Sequence, residues 1–237
     1  MRRIFLALGM GGALVACSSQ KPVAKVDDSG LARLDESQMQ PVDDARVEEG
    51  RARDDLARSR ANEADARARL EVARSERGVA EAQLKRAIAE RDLLKKQYAT
   101  KEQMAEVEQE IGGSQDRVKA TDLKLQYLQQ MIGVAESERR VAESHVITAQ
   151  ALTEQAKLRA MKAGNAPQAS SANAGDIDHR VASAQAQEAN LRKEVAQRRS
   201  GAVDVYNRWQ QADARARTMA RPSTLSVPPP TGEPTSH

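Results

Sequence analysis

Aromatic side chains are nearly missing from this chain of 237 residues. They amount to 2% of it: Phe5, Tyr98, Tyr127, Tyr206 and Trp209. Alanine stands in their place, at 41 residues, and alanine buries little apolar area. A large globular core or an aromatic-lined crevice is therefore not expected. Base-stacking surfaces are lacking too, and no single basic face is evident, so nucleic acid is not an expected partner. Cysteine occurs once, at Cys17, which leaves no disulfide within the chain to hold a fold. The three histidines, His145, His179 and His237, have no cysteine or histidine neighbour at metal-ligand spacing. His145 and His179 fall beside the apolar seams described below, where a solvated helix-surface position is the expected reading. No glycine-rich phosphate loop, serine-centred elbow or His-Glu-x-x-His run occurs. The many carboxylates sit in mixed-charge stretches, where no shift of their pKa values is expected. No enzymatic activity, cofactor or metal site is expected. No apolar run reaches the roughly 20 residues that a membrane-spanning helix needs.

What the chain does have is charge of both signs, 30% of its residues, mixed with alanine and leucine at helical spacing. That composition reads as long helices or coiled coil. The expected fold class is all-α: long helices in a coiled coil or an elongated hairpin or bundle, with an N-terminal tether and a proline-rich tail. Residues 17–42 read as the tether, broken by Pro22, Gly30 and Pro41. A long charged helix is expected over 43–111, with Asp43 as its N-cap. Its first part carries opposite charges four apart, as in Glu49 with Arg53, Asp54 with Arg58, Glu63 with Arg67 and Asp65 with Arg69. Each such pair is worth about 0.2–0.5 kcal/mol. From Ala66 a heptad seam runs through Leu70, Ala73, Ala80, Leu84, Ala87, Leu94 and Tyr98 to Ala105, interrupted by Arg77, Arg91 and Lys101.

Gly112-Gly113 is the next punctuation. Two glycines cost a helix about 2 kcal/mol relative to alanines, enough for a bend or a reversal. A second helix is expected over 114–162, with a seam from Val118 through Leu125, Leu128, Ile132 and Val146 to Ala160. Residues 163–175 read as a flexible loop. A third helix is expected over 176–221, on the most regular seam of all, from Ile177 through Val181, Ala184, Glu188, Leu191, Val195, Arg198, Ala202, Val205, Trp209, Ala212 and Ala216 to Met219. Trp209 and Tyr206 fit either core packing or a partner-binding spot, and the seam position of Trp209 favours core. The tail 222–237 holds five of the chain's eight prolines and reads as polyproline-like or disordered. Alanine-rich seams are expected to make a weak monomer, so self-association or docking of partner helices through these seams is an expectation.

The remaining signal is at the start. Arg2 and Arg3 precede Ile4–Ala16, a run without charge, which is the layout of a secretory signal. It closes on Leu14-Val15-Ala16-Cys17. This resembles the lipobox of bacterial lipoproteins. The resemblance covers about twenty residues and implies that the signal, 1–16, is cut before Cys17. It further implies that Cys17 is lipidated and anchors the mature chain in membrane lipid. Two or more acyl chains hold a protein stably on a bilayer. Ser18 occupies the place where an aspartate often signals inner-membrane retention, so the resemblance favours the outer membrane with the body in the periplasm. Once Arg2 and Arg3 leave with the signal, the formal charge of +3 drops by two, to +1. The function expected on these grounds is that of a structural or scaffold lipoprotein of the bacterial envelope. The alternative is an accessory subunit of an envelope transport, secretion or motility complex.

Overall fold

A computed structural model of the chain describes residues 26–170 and 172–218. Three long helices dominate it: α1 (Glu36–Lys96), α2 (Lys101–Ala163) and α3 (Ala174–Thr218). At 1.5 Å per residue they are about 92, 95 and 68 Å long. Two short 3-10 segments, Asp28–Arg33 and Pro167–Ser170, accompany them. No strand occurs among the described residues, and the all-α class of long, mutually packed helices is as expected.

Cross-helix pairs set the arrangement. Arg139 Nε donates to Glu63 at 2.7 Å, Lys124 Nζ to Glu76 at 2.5 Å and Arg117 to Gln83 at 2.8 Å, so α1 and α2 run antiparallel. Gln155 donates to Asp178 at 2.6 Å and Arg199 to Glu138 at 2.6 Å, so α3 runs back along α2. α1 and α3 each pack on α2 but have no substantial contact with each other. The molecule is an open row of three helices with α2 in the middle, rather than a closed bundle. The burial pattern follows from this. Twenty-two residues of α2 are buried, against seven of α1 and ten of α3. All ten buried residues of α3 lie on its expected seam, because α3 has one neighbour and one buried face.

Several expected boundaries are corrected. The helix expected over 43–111 starts earlier and ends earlier. Asp35, not Asp43, is the N-cap, in a capping box in which Gln38 N–H donates to the Asp35 carboxylate and the Gln38 side chain accepts from Asp35 N–H. That box satisfies two donors at once and carries the helix through Pro41, which forgoes one hydrogen bond near the helix start. Residues 28–42 of the expected tether are thus largely helical. Residues 17–25 lie outside the described part. The chain reverses at Gln97–Thr100, and α2 passes unbroken through Gly112-Gly113. Two local motifs decide the position. Ala99 N–H donates to Leu94 C=O with Tyr98 in the left-handed region (φ 55°), a Schellman stop. Thr100 and Gln103 then form a second capping box, a start. Of the four ion pairs expected in α1, Arg58 takes Asp55 instead of Asp54 and the other three form. The segment 163–175 is structured: Asn165 (φ 52°) closes α2 in a second Schellman motif, and Ala166 and Ala169 are buried. α3 begins at Ala174, two residues before expected. Its expected end at 221 and the tail 222–237 lie outside the described residues.

Tyr98 is 96% exposed at the tip of the α1–α2 hairpin. A β-carbon in the left-handed region costs roughly 1–2 kcal/mol. Replacement Tyr98→Gly is expected to stabilise the chain by about 1 kcal/mol in urea unfolding, less the added backbone entropy of glycine. A loss of stability would mean that the tyrosine ring packs on the tip.

Candidate functional site at the base of the rod

The end of the row opposite the Tyr98 hairpin holds the first described residues, and it carries a buried apolar cluster drawn from all three helices and both 3-10 segments. Asp27 accepts from Ser29 N–H and starts the 3-10 segment Asp28–Arg33. That segment buries Leu31, and Val26 before it, against Val42 of α1, Leu158 and Met161 of α2, and Ile177 of α3. The close approach has a steric requirement. A β-carbon at Gly164 would lie 2.2 Å from Leu34 Cδ2, and one at Gly30 would lie 3.1 Å from Met161 Sδ.

A buried polar link fastens the strap. Val26 N–H donates to Glu154 Oε2 at 2.6 Å. Lys157 Nζ lies 3.0 Å from Glu154 Oε1 and 2.9 Å from Asp28 Oδ1. Burial alone would lower the Lys157 pKa, but the Asp28 and Glu154 carboxylates outweigh it and raise it. A raised lysine pKa contributes stability that is fully present below the unfolded value, and it is lost as pH rises through the folded one. The clasp therefore holds through the neutral range.

Next to the strap lies an open groove of about 650 Å³ between the first turns of α1 and the last turns of α2, lined by Pro41, Ala45, Leu152, Ala156 and Ala163 among others. A second, of about 530 Å³, is lined by Arg74, Arg77, Asp122 and three α2 side chains. Arg77 Nε donates to Asp122 at 2.5 Å there, which raises the Arg77 pKa. No group of three or more metal-ligating side chains occurs among the described residues, and no described helix is long and apolar enough to cross a membrane.

The sequence-level candidates fall as follows. Cys17 lies outside the described residues, nine positions before Val26. His179 is exposed. His145 is not simply solvated: its Nδ1 lies 3.3 Å from Glu188 across the α2–α3 interface. Desolvation would push the Glu188 carboxyl up, but hydrogen bonds from Arg192 and Thr148 and the charge of His145 hold it below its usual range. A depressed carboxyl contributes stability above its unfolded pKa that disappears as pH falls through the folded value. Trp209 and Tyr206 belong to the core: Trp209 is 3% exposed and stacks on Tyr127 with centroids 5.8 Å apart. The strap itself was not foreseen. Its available signals were Asp27-x-Ser29, Leu31 and Leu34, and the capping pair Asp35 and Gln38. Comparison with known proteins returned no match to any family model, curated protein or solved structure.

Proposed function

We propose that this chain is a non-enzymatic lipoprotein with a structural or scaffold role in the bacterial envelope. Cys17 is its acylated anchor, and the outer membrane facing the periplasm is its site. The observation that carries this reading is Leu14-Val15-Ala16-Cys17 at the close of an uncharged run, Ile4–Ala16, that follows Arg2 and Arg3. The fold gives it one geometric consequence. The strap at Val26 leaves only nine residue steps back to Cys17, which span at most about 30 Å. An acylated Cys17 would keep the base of the helical row near the bilayer and leave the Tyr98 hairpin as the end carried farthest from it. The exposed Tyr98 and Leu93 at that distal end favour, as a second reading, an accessory subunit that touches a partner complex there.

Metabolic labelling with palmitate, followed by membrane fractionation, tests the anchor. The parent chain is expected to take up label and sediment with outer membranes. Cys17→Ser is expected to lose both. Label that persists in Cys17→Ser, or a parent chain released without lipid, would refute the assignment.

A further inference from the structure

The large apolar side chains that α1 exposes are not scattered. Val72, Val79 and Leu93 are 51%, 59% and 56% exposed and recur at seven-residue steps, on one line with Asp65 and Arg86. A second line, four or three residues away, carries Ala61, Ala68, Ser75, Ala82 and Ala89. Every one of these ten positions is exposed, and Val47, also exposed, continues the second line. Together they form a complete heptad seam of a and d positions. It lies roughly 150° around the helix from the seam that packs on α2. α1 therefore has two packing faces and one neighbour. α3 has one seam and one neighbour, so the outer face of α1 is the edge at which the row is unfinished.

We infer that this face pairs with the same face of a second copy of the chain, antiparallel. Shape and charge both select that occupant. In an antiparallel pair centred on Arg77, each bulky position meets a small one: Val72 opposite Ala82, Val79 opposite Ser75, Leu93 opposite Ala61. Large against small lets two such helices interdigitate closely. The two charged members also complement each other. In this register Asp65 lies within one turn of Arg86 of the other copy. A parallel pair would set Asp65 against Asp65 and Arg86 against Arg86. Asp65 keeps its pairing with Arg69 on its own helix, at 2.7 Å, which leaves Arg86 the group that gains most. From Ala61 to Leu93 the seam is about 48 Å long. It would bury on the order of 1,000 Å² in total, near the lower bound for a specific interface. This inference needs no lipid on Cys17, so it stands or falls separately from the proposed function.

Oxidative crosslinking of the full chain tests it, with the parent, whose one thiol is Cys17, as background. Val72→Cys with Ala82→Cys is expected to give a covalent dimer. The two positions are about 15 Å apart on one straight helix, too far for a bridge within the chain. Val72→Cys alone is expected to give none, since it stands about 15 Å from its copy in this register. In sedimentation, Asp65→Arg and Arg86→Asp are each expected to weaken the dimer several-fold, and the double exchange to restore it. Circular dichroism should show nearly unchanged helix content, because none of these side chains touches another helix of the chain and the Asp65–Arg69 pair is exposed. Crosslinking by Val72→Cys alone would overturn the antiparallel register. A chain that stays monomeric at tens of micromolar, with or without a different protein on this face, would overturn the pairing.

Discussion

Trp209→Ala is expected to lower stability by about 3–5 kcal/mol, the usual cost of deleting a buried large aromatic. Its ring stacks on Tyr127 at 11° between planes, with Tyr206 edge-on at 5.5 Å. Tyr127 is 1% exposed and is the bulkiest fully buried side chain described. The loss is expected to be local. Apart from Ile177 at the base, α3 packs on α2 alone, so weakening their one aromatic cluster should free most of α3 while the α1–α2 hairpin persists. Thermal unfolding followed by circular dichroism should then split into two steps, and limited proteolysis should cut first within 174–218. A second readout is independent of melting. Desolvation pushes the Tyr127 phenol up to about 12. Water admitted by Trp209→Ala should bring it back toward 10 in an ultraviolet pH titration. The raised phenol stabilises the fold below the unfolded tyrosine pKa, and that contribution is lost as pH climbs toward 12. A single sharp transition close to the parent's would show that the aromatic cluster does not hold α3.

Lys157→Met is expected to cost about 2–4 kcal/mol at the base, because it leaves the buried Glu154 carboxylate without its cation. Glu154 would keep the Val26 N–H bond and lose its charge partner. Asp28 would lose its hold on α2. Methionine fills much of the same volume, so the effect reads the charge rather than a cavity. Hydrogen exchange should accelerate first at Val26, Gly30 and Leu31, and the segment before Asp35 should become the preferred site of proteolysis. Lys157→Arg should recover most of the protection. Unchanged exchange at Val26 and Leu31 in Lys157→Met would mean that apolar packing alone holds the strap.

The difference between what was legible and what was not has a physical pattern. The seam of α3 was readable residue by residue because it serves one neighbour: Ile177 through Ala216 repeat on a single face. The seam of α2 was readable only in half. Val118 to Ala160 all prove buried or half-buried, but Tyr127, Val134, Ser137 and Leu158 lie off it. A helix between two neighbours buries two faces, and a single heptad accounts for one. The break between the first two helices was misplaced for a different reason. Gly112-Gly113 is the stronger composition signal, yet neighbouring turns hold these glycines in the helix. The true turn combines two short hydrogen-bond motifs, at Tyr98-Ala99 and at Thr100 with Gln103. Tyrosine in the left-handed position hides the first from composition, although the second was available as a capping pair.

By itself the sequence determined the all-α class, the scarcity of bulky core and the Leu14–Cys17 motif. It also placed the heptad line of α3 and one of the two lines along which α2 packs. These follow from side-chain type and from the 3.6-residue period, which are local properties. Only the tertiary structure decided which line meets which neighbour, that α2 stands between the other two, and that residues 26–33 are fastened to the base. Those outcomes depend on long-range contacts, such as Val26 with Glu154 and Gly164 with Leu34, whose energies no local window contains. The same packing left Val72, Val79 and Leu93 uncovered, since the row offers α1 one neighbour for its two apolar faces.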